Sequence, residues 1–282
     1  MREISLRTRA LGGLALAVTS ALVLASCASG STDGGSSDSA YKAADCAADS
    51  TSDNTFKVGT LLPITGNLAF LGPPEIAGVG LAVADINAAG GVNGTDACLY
   101  STDSGDSSDM SVSTASAEDL IKQKVSVVLG AASSSVSLNV VDSFTEAGIV
   151  EISPANTSAA LSGYSPFYFR TAPPDTVQGS ALGQLITGDG NSKIAFLVFN
   201  DSYGTGLRDS TEASIVEAGG SVVYGAKGAG QEFPPAQTTF SSEVTAALAT
   251  QPDALVFIAF DETKAIIPEL VAQGWDMSKT YF

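Results

Sequence analysis

Short apolar runs alternate with segments of helical periodicity from residue 56 onward. Continuous runs bounded by turn residues are typical of strands that are buried on both faces, and apolar residues at every third or fourth position are typical of helices packed against them. The predicted strands are 56–62, 99–102, 127–130, 148–152, 167–170, 194–199, 222–224, 254–260 and 280–282. The alternation predicts an α/β fold with parallel sheets and helices on both faces.

The pattern restarts near Arg170, where a strand passes into a crossover that contains two prolines. We therefore expect a first α/β lobe over residues 55–172 and a second over residues 173–282. The second lobe is expected to be incomplete, because the chain stops at Phe282 within a strand and without a closing helix. The alternative is a natural terminus on an edge strand.

The strand at 127–130 is followed by three serines, Ser133, Ser134 and Ser135, at the start of a predicted helix. The first N–H groups of a helix have no partner inside it and point beyond the end of the preceding strand. Together with the serine hydroxyls and the helix dipole, they could bind a carboxylate or another small polar group. The alternative is that one serine only caps the helix.

The amino-terminal segment has the features of an export signal. Arginines precede an apolar run at 11–24, which is too short for a typical membrane span. The run ends in Leu24-Ala25-Ser26-Cys27, which resembles the lipobox of bacterial lipoproteins. The resemblance implies a signal peptide over residues 1–26 and a lipid anchor on Cys27 at the outer face of the cell membrane. The alternatives are an ordinary signal peptide with an incidental cysteine, or an uncleaved anchor.

Residues 27–54 contain almost no large apolar side chains, so they are predicted to form a flexible tether. The chain has 3 cysteines. If Cys27 carries lipid, Cys46 and Cys98 are left as a pair in an oxidising compartment, and we predict a disulfide between them. Two buried free thiols are the alternative.

Composition and charge exclude several classes of function. The formal net charge of −17 argues against nucleic acid or an anionic lipid surface as a partner. The absence of histidine removes Ser-His-Asp and Cys-His catalysis and the commonest metal ligand. Neither Gly-x-Gly-x-x-Gly nor a P-loop occurs, so we expect no nucleotide cofactor. Asp103, Asp106 and Asp109 lack the glycine and distal glutamate of an EF-hand, so a solvated acidic loop is expected rather than a metal site.

A series of motifs after the tether occurs in the order found in one family. They are Val58-Gly-Thr-Leu-Leu-Pro-Ile-Thr-Gly66, Ala84-Asp-Ile-Asn-Ala-Ala-Gly-Gly-Val92, the turn at 130–135, Ile152-Ser-Pro154, Asn200-Asp-Ser-Tyr-Gly-Thr-Gly206 and the strand at 254–260. Together they resemble bacterial periplasmic binding proteins of the branched-chain amino acid (Leu/Ile/Val-binding) type, the solute-binding components of ABC importers. The resemblance implies the type I fold of this class, with two doubly wound parallel-sheet lobes joined by three crossovers and a ligand cleft between them.

Position by position, the resemblance also implies a ligand site. Ser134 and the adjacent N–H groups would bind the ligand carboxylate, while Ala155 and Asn156 would offer main-chain groups and Thr157 a hydroxyl. The alternative for Asn156 and Thr157 is that they only shape an Asx turn.

Further contacts are implied by the same resemblance. Tyr203 and Phe260 would come from the second lobe, and Phe70 and Leu71 would contact the ligand side chain. The carboxylate that pairs with a ligand ammonium in this family commonly follows the strand at which this chain ends, and Asp261 or Asp201 could replace it. The alternative for Tyr203 is a loop aromatic that packs on Leu207.

These features predict an exported, lipid-anchored solute-binding protein that delivers an amino acid or a related small amide to an ABC permease and its ATPase. The alternative is a ligand-sensing lipoprotein of the same fold that acts on a receptor. An exported enzyme is the weakest hypothesis, because no general base, metal cluster or cofactor loop can be named.

Overall fold

The computed structural model of the chain describes residues 45–46 and 55–282. The predicted signal peptide and Cys27 lie outside the described residues. So does the predicted tether, apart from residues 45 and 46.

The first lobe contains a parallel sheet of five strands with helices packed against it. Its elements are β1 (Lys57–Leu62), α1 (Gly72–Ala88), β2 (Cys98–Asp103), α2 (Met110–Lys122), β3 (Val127–Gly130), α3 (Ser134–Ala147), β4 (Val150–Ser153) and β5 (Tyr168–Arg170). The strand order is β2-β1-β3-β4-β5, and every neighbouring pair is parallel. The order reverses between β1 and β3, which is where α/β sheets of this kind bind ligands.

After β5 the chain enters a second parallel sheet. Its elements are α4 (Asp175–Gly188), β6 (Lys193–Val198), α5 (Ser202–Glu217), β7 (Ser221–Tyr224), α6 (Ser241–Ala249), β8 (Ala254–Ile258), α7 (Thr263–Ala272) and β9 (Thr280–Tyr281). The strand order is β7-β6-β8-β9, so this sheet reverses between β6 and β8. The predicted α/β fold with two parallel-sheet lobes is confirmed.

Burial explains why the apolar runs form strands. Every residue of β8, and every residue of β6 except the first, is buried, as expected for parallel strands covered on both faces. Helix α3 buries Val136, Val140 and Phe144 against the first sheet, in agreement with their helical spacing. It ends at Gly148, whose φ of 69° lies in the left-handed region that glycine adopts without strain.

Helix α2 begins only at Met110, because the carboxylates that precede it bond to backbone groups outside the helix interior. Asp109 caps α2 by accepting a hydrogen bond from Ser111 N at 3.0 Å. Polar side chains that bond to nearby backbone groups favour caps and turns over helix interiors.

Asp103 and Asp106 fix the loop between β1 and α1. Asp103 Oδ1 accepts hydrogen bonds from the N–H groups of Ile64 and Thr65 at 2.9 and 3.2 Å. Asp106 Oδ2 accepts one from Asn67 N at 2.6 Å. Asp106 is only 7% exposed, so the expectation of a solvated acidic loop is wrong for this residue. The two carboxylates satisfy backbone donors that have no partner in a regular element.

Replacing Asp103 with alanine should lower the free energy of unfolding by about 1–2 kcal/mol, because the loop amides lose a charged acceptor. Chemical denaturation at neutral pH measures the change. Asp96→Ala, which removes an exposed carboxylate before β2, is the control and should stay within about 0.5 kcal/mol of the wild type. Equal losses in the two variants would contradict the assigned role of Asp103.

Cys46 and Cys98 form a disulfide in the structure, with their Cα atoms 4.8 Å apart. The N–H of Cys46 also donates to Leu99 O at 2.9 Å. Residues 45 and 46 are therefore attached to β2, which is an edge strand of the first sheet.

The disulfide spans a sequence separation of 52 residues, and the chain-entropy treatment assigns about 4 kcal/mol to a loop of that size. We expect the free energy of unfolding of the Cys46→Ala/Cys98→Ala double variant to be about 2–4 kcal/mol lower than that of the wild type. Mass spectrometry of peptides alkylated without prior reduction reports the pairing directly. Free thiols at both positions in the exported protein would contradict it.

Candidate functional site

A cavity of about 190 Å³ lies where strand ends of the two lobes meet. The loops after β3 and β4 form its first-lobe wall, and the start of α5 and the end of β8 form its second-lobe wall. The lining residues are Leu68, Leu71, Ala132, Ser133, Ser134, Ala155, Asn156, Thr157, Gln178, Tyr203 and Phe260. Most of the residues proposed from the sequence are thus brought to one place.

The first-lobe end of the cavity is built on the amino terminus of α3. Ser133 caps the helix, and its hydroxyl oxygen accepts a hydrogen bond from Val136 N at 3.4 Å. Ser134 is 2% exposed, and its hydroxyl oxygen accepts hydrogen bonds from Thr157 N and Ser158 N, both at 3.2 Å. Because these bonds occupy both lone pairs of that oxygen, the hydroxyl hydrogen is the part of Ser134 left to donate to a ligand. The helix dipole favours a negative group at this position.

Aromatic side chains form the second-lobe wall. Tyr203, in the first turn of α5, stacks on Phe260 with ring centroids 5.2 Å apart and planes inclined by 21°. Phe260 in turn meets Phe199 edge to face at 5.3 Å. Since Phe199 belongs to the core of the second lobe, its contact with Phe260 holds the aromatic pair of Tyr203 and Phe260 against that core.

A carboxylate without a hydrogen-bond partner lies behind the cavity. Asp175, the first residue of α4, is fully buried, and its N–H donates to Thr157 O at 2.8 Å. Neither carboxylate oxygen of Asp175 has a hydrogen-bond partner, and the Thr157 hydroxyl is also buried without one. Burial raises the pKa of Asp175, and the nearby Thr157 hydroxyl and the charge of Arg170 act in the opposite direction. The Thr157 hydroxyl is therefore close to the carboxylate without forming a hydrogen bond of normal geometry.

Asp201 adds a second acidic group on the same side. It caps α5 by accepting a hydrogen bond from Gly204 N at 2.8 Å, and burial raises its pKa to about 6. Burial and the charges of Asp175 and Asp201 raise the pKa of Tyr203 to about 12. Acidic side chains thus lie close to Tyr203, and Asp201 also contacts Ser135 in the first turn of α3.

Four residues proposed from the sequence are not in the cavity wall, namely Phe70, Ser135, Asp201 and Asp261. The Ser135 hydroxyl donates to Asp201 Oδ2 at 3.3 Å and accepts from Ser202 N at 3.0 Å, so it connects the two lobes. Asp261 forms an ion pair at 2.8 Å with the lysine three positions later and lines a separate cavity of about 390 Å³. Phe70 is 57% exposed. Their contribution to binding stays a prediction.

Other residues at the cavity were missed by the sequence analysis. Leu68 and Ala132 line it from loops, where no periodic pattern distinguishes inward from outward positions. Gln178 lies about one helical turn after Asp175 on α4, so the Asp-x-x-Gln spacing at the start of the second lobe was the available signal.

Two further properties of the described residues concern metal binding and membrane-spanning helices. No group of three or more His, Cys, Asp or Glu side chains there could hold a metal ion. None of the helices there combines the length and the apolar character needed to cross a bilayer.

Comparison with known sequences finds Leu/Ile/Val-binding proteins among the relatives of this chain. The Leu/Ile/Val-binding protein homolog 2 of Brucella abortus is 32% identical over 164 residues, which are 57% of this chain and 44% of that protein. The leucine-, isoleucine-, valine-, threonine- and alanine-binding protein of Pseudomonas aeruginosa is 31% identical over 171 residues, which are 59% of this chain and 44% of that protein. The chain thus spans less than half the length of these relatives.

Solved structures share the architecture. The branched-chain amino acid substrate-binding protein LivJ of Streptococcus pneumoniae, in complex with isoleucine, superposes with a TM-score of 0.68 at 27% identity over 79% of this chain and 62% of that one. A solute-binding protein of R. palustris in complex with 4-hydroxybenzoate gives a TM-score of 0.71 at 20% identity over 80% and 60% of the two chains, a likeness that shows the fold alone. The sequence profile of the periplasmic binding protein family matches residues 55–281. The two parallel-sheet lobes, the cavity between them and this match together show that the chain belongs to the periplasmic binding protein family and has its type I fold.

Proposed function

We propose that this chain binds an amino acid between its lobes and that the full-length protein delivers it to an ABC permease and its ATPase. The observation that carries the proposal is the polarity of the 190 Å³ cavity. Hydrogen-bond donors at the start of α3 lie next to Thr157, whose N–H donates to Ser134 Oγ at 3.2 Å, and the Thr157 hydroxyl and Asp175 oxygens are buried acceptors without donors. The carboxylate and ammonium groups of an amino acid are also neighbours, so a small zwitterion complements this pair of groups.

The carboxylate end of the ligand is assigned to the start of α3. The first-turn N–H groups, the Ser134 hydroxyl hydrogen and the helix dipole all favour an anion there. No lysine or arginine is among the lining residues, so recognition would use neutral donors. This arrangement resembles other anion sites at helix termini.

The ammonium end is assigned to Thr157 and to the carboxylate of Asp175 behind it. If the Thr157 hydroxyl turns its hydrogen toward Asp175, its oxygen lone pairs face the cavity and can accept from an ammonium. The carboxylate of Asp175 would then gain the donor that it lacks, and its charge would balance the charge of the ligand. Tyr203, Phe260 and Leu71 would contact the ligand side chain.

The setting of the protein follows from its family. A periplasmic binding protein acts outside the cytoplasm, and we propose that the lipid on Cys27 anchors this one to the membrane through the 27–54 tether. We also propose that the first lobe extends over residues 55–172 and the second begins at 173. The Leu/Ile/Val-binding relatives and the isoleucine in the Streptococcus pneumoniae protein support a branched-chain type of ligand.

A thermal-shift screen of the full-length mature protein against the twenty amino acids, small amides and 4-hydroxybenzoate tests this function. We expect an aliphatic amino acid to raise the melting temperature, because a ligand at one hundred times its dissociation constant adds about 2.7 kcal/mol to stability. A shift with 4-hydroxybenzoate and none with any amino acid would contradict the proposal.

Asp175→Asn tests the ammonium end. We expect about tenfold weaker binding of L-isoleucine in isothermal titration calorimetry, because the asparagine amide supplies no charge to balance the ammonium. Binding of 3-methylpentanoate, the same molecule without its amino group, should not weaken. Asp85→Asn removes one exposed charge on α1 and should leave both affinities unchanged. A parallel loss for the two ligands in Asp175→Asn would count against the assignment.

A further inference from the structure

Glu151 is a buried acidic side chain that the proposed binding mode does not use. It lies in β4 and is 1% exposed. Its Oε1 atom accepts hydrogen bonds from Ser137 Oγ at 2.6 Å and from Ala131 N at 3.3 Å. Its Oε2 atom is buried and has no partner. Such a group is costly for stability, so its presence beside the cavity calls for a functional reason.

The donors that Glu151 uses belong to the walls of the cavity. Ala131 directly precedes the lining residues of the β3–α3 loop, and Ser137 is in the first turns of α3. The Ser137 hydroxyl also accepts a hydrogen bond from Asn156 Nδ2 at 2.7 Å, and the same amide group donates to Ala131 O at 3.2 Å. Glu151 is therefore bonded to the α3 loop directly and to the β4 loop through Ser137.

We propose that Glu151 is a positioning residue that makes ligand binding depend on pH, with the protonated carboxyl favouring the bound state. The inference rests on the proposed function, because it requires a ligand carboxylate at the start of α3. An ionised Glu151 places a negative charge behind that helix end and takes up part of its positive potential. When Glu151 is neutral, the full positive potential at the start of α3 acts on the ligand carboxylate.

The groups around Glu151 leave it free to titrate near neutrality. Burial raises the pKa of Glu151 to about 7, although the hydrogen bonds from Ser137 and Ala131 act in the opposite direction. Tyr168 faces it from β5, and burial and then the charge of Glu151 raise the pKa of Tyr168 to about 12, so Tyr168 stays neutral. Arg170, farther along β5, donates to Ser158 O at 2.7 Å. Among the described residues, no lysine or arginine forms an ion pair with Glu151.

The sign of the effect follows from linkage. A ligand carboxylate near Glu151 raises the pKa of Glu151 further, so binding takes up a proton and affinity falls as pH rises through 7. The carboxylate and ammonium groups of an amino acid keep their charges between pH 6 and pH 8. The pH dependence of binding therefore arises from a titrating group of the protein and not from the ligand.

Calorimetric titration of the full-length mature protein with L-isoleucine at pH 6, 7 and 8 measures this dependence. We expect about fivefold weaker binding at pH 8 than at pH 6, which corresponds to the ~1 kcal/mol typical of a charge at a helix end. Glu151→Gln, which is close in shape to the protonated side chain, should bind with the pH 6 affinity of the wild type at every pH. Ser137→Ala removes a donor to the carboxylate and should move the midpoint to higher pH.

Glu75→Gln is the matched control. Burial also raises the pKa of Glu75 to about 7, but Glu75 lies on α1 beside a different cavity. This variant should keep the pH dependence of the wild type. The inference is overturned if Glu151→Gln keeps the dependence or if Glu75→Gln abolishes it. If Glu151→Gln does not fold at pH 6, an unmoved midpoint in Ser137→Ala overturns it instead.

Two outcomes for the wild type separate the inference from the function on which it rests. Equal binding of L-isoleucine at all three pH values overturns only the role of Glu151. Failure to bind any amino acid at any of these pH values overturns the proposed function, and the inference with it.

Discussion

The contact between the ends of β3 and β4 is the interaction on which the rest of the site depends. The Ser153 hydroxyl at the end of β4 donates to Ala131 O just after β3 and accepts from Asn156 N at 3.1 Å. In the other direction, the Ser134 hydroxyl of the β3–α3 loop accepts hydrogen bonds from two N–H groups of the β4 loop, those of Thr157 and Ser158. Each loop thus satisfies the backbone groups of the other, as buried loops must. The donors for a ligand are consequently held in place before a ligand arrives.

The two lobes contribute different kinds of surface. The first lobe offers fixed donors at a helix terminus, and the second offers stacked aromatic rings with acidic groups behind them. Direct bonds already cross between the lobes, including Asn67 Nδ2 to Glu262 Oε1 at 2.6 Å and the contacts of Ser135 with the start of α5. A ligand that touches both walls adds to these bonds only when the lobes are together. It therefore favours the closed arrangement by the difference in contacts between the two states.

Buried acids without full sets of partners mark this region. Asp175 and Glu151 both leave carboxylate oxygens unpaired in the interior, where such atoms reduce stability. Away from the cavity, Glu75 Oε2 on α1 is likewise buried without a partner, whereas other buried charges of the described residues are paired. Buried Arg208, for example, pairs with Asp209 at 2.7 Å and Glu232 at 2.9 Å. Local departures from good packing and pairing are expected where a protein binds something else.

The sequence by itself determined the fold class, the position of most strands and the placing of a serine-rich helix start after β3, because hydrophobic periodicity, capping residues and glycine stops are local properties. Only the tertiary structure decided which side chains face the cavity. Ser134 and Ser135 are adjacent, but successive residues of a helix are rotated by about 100°, so one faces the β4 loop and the other faces the second lobe. Asp175 reads as an ordinary first-turn acid of α4, and only the packing of α4 against the β4 loop buries its carboxylate beside Thr157. These orientations depend on how each helix is rotated about its axis and on contacts between segments far apart in the chain. A local sequence pattern therefore cannot predict them.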